Sequence, residues 1–414
     1  MDFELQAMTE PGRRFVALAE EHAADFATRA EQHDREGSFP HENMDAMKQS
    51  GFTTATVPEE FGGMGVSSIH DYMVAISRLA RGDASTAIAV NMHLVGGAVA
   101  SRLRTGIIAA GGDVAVVEGL LNGMGRAGVI MCGPSTEPGT DVNSPFTEAT
   151  RTADGWVING HKIFGTLSPA AQIFVSMVRV REGGSDVRAL AIVAKGTPGM
   201  EVMDNWDAMG MRASGSHDVV FKDCHVPEAS VQLVTAEPWG MATPAGVDFA
   251  LAANSPLVAA FLGVAEAARD FTVRSTIERK KGRAGKRLAE RVPLQLLVAE
   301  MEIDIATMRA LISAHGRRID EHFAQYLPGQ APNEVADAMM KDHQCTKYVV
   351  NRKAIDVVDR AMTVSGGGAY MSAHPLSRLY RDVRAGPFMQ PYAPYEALEY
   401  IGKVTLGVDP QIDR

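Results

Sequence analysis

Asp154-Gly155-Trp156-Val157-Ile158-Asn159-Gly160-His161-Lys162 decides how this chain is read. Trp156, Val157 and Ile158 are aromatic or β-branched, the residue types that suit a pleated, half-buried surface. The flanking Asp154-Gly155 and Asn159-Gly160 are hairpin-type dipeptides. Outward from this segment the same pattern of short runs bounded by turn residues repeats in Gly128-Val129-Ile130-Met131, Ile173-Phe174-Val175-Ser176-Met177-Val178 and Val219-Val220-Phe221. Residues 127–236 therefore read as a small β domain. With no helical pattern between its strands, an antiparallel barrel or sandwich is expected.

On either side the period changes. Apolar residues recur at helical spacing from Arg13 to about Gly125, as in Phe15-Val16-Ala17-Leu18-Ala19 and at Met44, Met47 and Phe52. Helical spacing returns from about Val247 to Ala361, with long segments at Leu294 to His315 and Glu334 to Ala361. The fold class is α+β: an N-terminal helical domain (1–126), the β domain (127–236) and a C-terminal helical bundle (237–414). Clefts between such bodies are where ligands tend to bind. The Gly-rich stretches do not follow a strand and open a helix, so a nicotinamide site is not indicated.

Composition removes several classes of function. The 414 residues carry 40 Lys plus Arg against 50 Asp plus Glu, a formal charge of −10, the wrong sign for nucleic acid. Cys132, Cys224 and Cys345 are too few and too scattered for a disulfide framework. No His/Cys/Asp cluster has metal-ligand spacing, so no metal is proposed. No apolar run is uninterrupted over the ~20 residues needed to span a bilayer; Val247 to Ala267 carries Asp248, Asn254 and Glu266. Met1-Asp2-Phe3-Glu4 lacks the basic start of a secretion signal, and a cytoplasmic location is expected.

Several segments, in order, resemble the flavin-dependent acyl-CoA dehydrogenase superfamily. Arg35-Glu36-Gly37-Ser38-Phe39-Pro40 and Val57-Pro58-Glu59-Glu60-Phe61-Gly62-Gly63-Met64-Gly65 resemble its opening signature. Thr136-Glu137-Pro138-Gly139 and Val157-Ile158-Asn159-Gly160-His161-Lys162 resemble its flavin-contacting segments. Met209-Gly210-Met211-Arg212-Ala213-Ser214 and Val226-Pro227 resemble its exit from the β domain, and Gly366-Gly367 with Arg378-Leu379-Tyr380-Arg381-Asp382 its closing motifs. The resemblance implies FAD, with FMN or reduced flavin as a co-substrate the alternative. It implies Thr136 at the pyrimidine edge, Phe164 against the ring where the family usually has Trp, and Thr166 near N5. A flavin ring needs such a flat wall and donors along one edge. Gly366, Gly367 and Arg279, within Arg279-Lys280-Lys281-Gly282-Arg283, are implied near the adenylate or pyrophosphate end. His93, on a helix that in the family lines the acyl cavity, reads first as a buried, hydrogen-bonded core histidine and second as a site residue; Tyr392 is a further candidate at the substrate cavity.

α,β-Dehydrogenation of an acyl thioester, with hydride transfer to flavin N5, needs a base at the α-proton. By resemblance that Glu falls eight residues after Asp382, where this sequence has Gln390, a neutral amide. The alternative family position, on the first helix of the C-terminal domain, holds Ala253; Asp248 upstream is the remaining substitute. Asp141 also follows Gly139-Thr140 directly, so the usual small-residue run is missing. The main expectation is an acyl-CoA dehydrogenase-like oxidoreductase with an electron-transfer flavoprotein as acceptor. The alternatives are a flavin monooxygenase using reduced flavin and O2, which needs no carboxylate there, and a non-catalytic flavin-binding member. By resemblance the chain assembles as a homotetramer, or at least a dimer.

Overall fold

The computed structural model describes residues 4–140, 144–182, 185–233, 243–281 and 285–412. Asp141, Gly282, Arg283 and the expected boundary at 236/237 lie outside them.

Six helices come first: α1 (Glu10–Phe26), α2 (Ala30–Glu36), α3 (His41–Ser50), α4 (Ile69–Gly82), α5 (Ala84–Ala109) and α6 (Ala115–Gly125). Their starts are capped by side chains that accept otherwise orphaned backbone N–H groups. Thr9 accepts from Gly12, Ser68 from Asp71 and Asp83 from Ser85. The β domain then runs through β1 (Met131–Cys132), β2 (Glu148–Arg151), β3 (Gly155–Gly165), β4 (Ile173–Glu182), β5 (Ser185–Ala194), β6 (Met200–Val202), β7 (His217–Pro227) and β8 (Val231–Leu233). Helix α7 (Pro244–Glu278), the short pair β9 (Lys280–Lys281) and β10 (Lys286–Arg287), and helices α8 (Val292–Gln325), α9 (Asn333–Ser365), α10 (Pro375–Asp382) and α11 (Pro394–Leu406) complete the chain.

The eight strands β1–β8 form one sheet in the order β6-β7-β3-β2-β4-β5-β8, with β1 beside β4. It is not purely antiparallel, which corrects the sequence expectation. β1 runs parallel to β4, and β2 meets β4 in parallel through Glu148 and Arg179. A parallel pair needs a long connection, and the β2–β3 hairpin lies within the one that joins β1 to β4. Asp154-Gly155 does stand at the β2–β3 turn, but Asn159-Gly160 lies inside β3 at a slip in its pairing with β7. There Asn159 Oδ1 accepts from the Asp223 N–H at 2.8 Å, and a Cβ on Gly160 would sit 2.2 Å from Thr147 Oγ1. The dipeptide serves a bulge rather than a turn.

A continuous core joins α1, α4, α5, α7, α8 and α9, with α7 at its centre. By length and apolar composition alone, α5 and α7 would each suffice to cross a bilayer, although polar residues interrupt them as the sequence reading noted. Their apolar windows are 78% and 94% buried inside the protein, so packing accounts for them. Fully burying one Leu or Phe side chain contributes about 1.5–3 kcal/mol, and α7 buries Leu251, Leu257, Phe261 and Leu262. The one acid fully buried on α7, Glu266, is met by Arg81 at 2.6 Å and Arg309 at 2.7 Å.

Candidate flavin site

The site is built from the edge of β3. The Ile163 N–H donates to Thr136 O at 2.9 Å, so the loop bearing Thr136 is pinned beside the last residues of that strand. A buried pair fixes the loop from beneath. Lys162 donates to Glu137 and, at 2.6 Å, to Met177 O, while Glu137 accepts from the N–H groups of Phe146 and Thr147. Burial lowers the Lys162 ammonium below the usual lysine range, with Glu137 acting against that.

Phe164, next along β3, has φ +56, and its ring remains 55% exposed. An aromatic residue in the left-handed region is strained, and this one is held out from the core. Trp206 meets the Phe164 ring edge-on, with centroids 6.0 Å apart. Thr166 shares a hydrogen bond of 2.8 Å with Ser216, which bonds in turn to Ser214. Thr136, Phe164 and Thr166 therefore lie together on one rim of the sheet, as a polar edge and a flat wall. This arrangement fits a planar ring with a polar border.

Arg279 Nη1 lies 3.4 Å from Ser365 O, so Arg279 meets the glycine loop on the C-terminal body. Gly366 has φ +74, which favours glycine, and a Cβ on Gly366, Gly367 or Gly368 would meet no atom within 4 Å. The neighbouring Tyr370 is 88% exposed.

The segment after α10 is anchored at the junction of the three bodies. Asp382 accepts from the Met211 N–H at 2.7 Å, and Arg381 donates to Asp34 of α2 at 2.8 Å. Burial pushes the Asp382 carboxyl up to about 6, against the pull of Arg378. Beyond this anchor, Gln390 is exposed and the Gln390–Pro391 peptide is cis.

Three residues expected at the site have other work. His93 is fully buried; its Nε2 donates to Thr53 O at 3.0 Å and its Nδ1 accepts from the Met131 N–H at 3.1 Å. Burial pushes it down to about 4, so it is a neutral tie between α5 and β1 and not a substrate group. Asp248 is buried and held by His322 at 2.9 Å, Arg102 at 3.1 Å and the Gly329 N–H at 3.0 Å, so it ties α7 to α5 and α8. Tyr392 is buried, its ring stacked on Tyr400 at 5.2 Å, and it lines only a small cavity against α9.

Sequence reasoning missed Trp206, Ser216 and the Glu137–Lys162 pair. A lysine on a strand otherwise read as half-buried was the available signal for the last. Among the described residues no group of three or more metal-ligating side chains occurs.

The chain matches the N-terminal domain of acyl-CoA dehydrogenases over residues 9–105, the middle domain over 132–224 and the C-terminal domain over 256–389. It is 35% identical to the amino sugar nitrososynthase DnmZ of Streptomyces peucetius, over 96% of this chain and 94% of that one. It belongs to the acyl-CoA dehydrogenase family. It is therefore an oxidoreductase of a flavoprotein family, and the residues above fit a flavin. The solved structure of KijD3 with FMN and dTDP-3-amino-2,3,6-trideoxy-4-keto-3-methyl-D-glucose superposes with a TM-score of 0.87 at 32% identity, covering 98% of this chain and 96% of that one. Butyryl-CoA dehydrogenase from Megasphaera elsdenii superposes at 0.79 with 25% identity, covering 98% of this chain and all of that one.

Proposed function

We propose that this protein is a flavin-dependent monooxygenase that oxidises the amine of a nucleotide-linked amino sugar. Gln390 carries this reading: a neutral amide stands where the family resemblance implies the carboxylate that thioester dehydrogenation requires. Asp248, the substitute considered for it, is engaged by an arginine and a histidine. The similarity to amino sugar nitrososynthases supports the same reading, and it favours the alternative drawn from the sequence over dehydrogenation.

The chemistry explains why the loss is tolerable. An amine attacks an electrophilic oxygen through its nitrogen lone pair, so no C–H bond is broken and no strong base is required. A reduced flavin with O2 supplies that oxygen. One round takes an amine, O2 and reduced flavin to a hydroxylamine, water and oxidised flavin. A second round, with another O2 and another reduced flavin, takes the hydroxylamine to a nitroso group and two waters.

The chain's own residues bind and orient. Phe164 offers one ring face, Thr136 and Thr166 the polar edge, and the Gln390 carbonyl accepts an N–H of the substrate amine and turns its lone pair toward the ring. FMN is the proposed flavin, in place of FAD. A reductase that supplies electrons replaces the electron-transfer flavoprotein expected as acceptor, and a cytoplasmic homo-oligomer is the proposed setting.

Two substrates decide the matter. With FMN, NADH and a flavin reductase under air, dTDP-3-amino-2,3,6-trideoxy-4-keto-3-methyl-D-glucose should gain oxygen, read as a mass increase that depends on O2. Anaerobic bleaching of bound flavin by a short-chain acyl-CoA, with no oxygen gained by the amino sugar, would reverse the proposal.

A further inference from the structure

His343, Lys347 and Asn351 follow one another at intervals of a single turn along α9, and all three are buried. Polar groups on a core-facing stripe are costly where they lack partners. Lys347 has partners, and they come from a distant part of the chain. Its ammonium donates to Met389 O and, at 2.6 Å, to Tyr392 O. Those two carbonyls stand on either side of Gln390 and Pro391. Charge-assisted bonds of this kind are about twice as strong as neutral ones.

The near end of the same segment also presses on this stripe: a Cβ on Gly386 would lie 2.6 Å from Asn351 Oδ1. A small cavity between α9 and the segment is lined by Lys347, Asn351, Pro387, Tyr392 and Ala397. Burial pushes the Lys347 ammonium down to about 7, with Glu396 of α11 acting against that. A buried lysine whose Nζ meets two carbonyls of one distant segment is better explained by what it holds than by packing.

We propose that Lys347 is a positioning residue, whose two backbone attachments fix Gln390 at the height where its amide meets the substrate. The inference rests on the proposed function for what Gln390 meets; the clamp itself is a property of this chain alone.

Hydrogen exchange of the full-length protein tests the clamp without any substrate. In Lys347→Met, which keeps the length and removes the donors, exchange in peptides covering 386–393 should rise at least about tenfold, while β-domain peptides keep their rates. Lys347→Arg should recover most of the protection. Turnover of the amino sugar by Lys347→Met should lose kcat by about tenfold or more at nearly constant KM, because misplacement alters reaction geometry more than binding.

Unchanged exchange at 386–393 overturns the proposal, and so does a rise spread evenly through α9 and α11. A selectively loosened segment in a protein whose wild type never oxidises the amine keeps the clamp and removes only the proposed function. If Lys347→Met does not fold, acylation of wild-type lysines decides. Lys347 modified at least about tenfold more slowly than exposed Lys222 supports the clamp, and equal rates overturn it.

Discussion

Asp248 and Gln390, two of the positions weighed for a base, differ in opposite ways. Asp248 is a carboxylate without access. Burial raises its carboxyl, but His322, the Gly329 N–H and Arg102 together hold it below the usual range. The Arg102 guanidinium also lies over the Phe323 ring, 3.8 Å from its centroid. Gln390 has access without a carboxylate, exposed at the end of a segment that α9 and α10 hold in place. The contrast teaches that the two positions do different work: Asp248 ties α7 to α5 and α8, and position 390, where the family resemblance implies a base, holds a neutral amide.

The comparison can be broken most directly at Asp248. Asp248→Asn leaves Arg102 partly buried without its counter-charge, and removing one partner of a buried pair costs about 3–5 kcal/mol. The thermal midpoint should therefore fall sharply while flavin affinity is unchanged. A variant with normal stability and lost turnover would make Asp248 a catalytic group after all. The sign of the pH effect follows from its lowered carboxyl. Its stabilisation is complete above the unfolded value of 3.8 and is lost as pH falls through the lower folded value.

Asp382 gives the opposite sign and a smaller effect. Burial raises it to about 6 from 3.8, so between those values the folded state holds a proton that the unfolded chain releases. Stability from this group therefore declines as pH rises from 3.8 to about 6. Thermal midpoints at several pH values across this interval should show that component of the slope disappearing in Asp382→Asn.

Phe164→Ala removes the wall proposed for the ring. Aromatic stacking contributes about 0.5–1.5 kcal/mol beyond area, so the Kd for FMN should rise by up to about tenfold in a fluorescence titration. The smallest effect belongs to Gln390→Glu. At an exposed position the midpoint should change by no more than the equivalent of about 0.5 kcal/mol. That small cost leaves a clean comparison of amine oxidation and thioester bleaching in the two proteins.

Much of the architecture was legible because period and punctuation are local. The helical spacing around Phe15, Met44 and Met47 belongs to helices α1 and α3, and Trp156-Val157-Ile158 lies in β3. Asn159-Gly160 misled because a glycine can serve a bulge as well as a turn, and the choice depends on Thr147, which approaches it from outside β3. At the site, the adjacency of Thr136 and Phe164 came from resemblance. The buried contacts of His93 and Asp248 could not be read from sequence, since Thr53, Arg102 and His322 lie far from them along the chain.

The sequence by itself determined the order of helical, β and helical bodies, the absence of a carboxylate at position 390, and the presence of an aromatic residue at 164. Those are matters of residue identity and short-range period. Tertiary structure alone decided that Asp248 is locked, that His93 is neutral and that Lys347 grips the segment around Gln390. The physical reason is the same in all three cases. A buried polar group takes its role from the burial it suffers and the partners it meets, and the folded chain supplies both from far away in sequence.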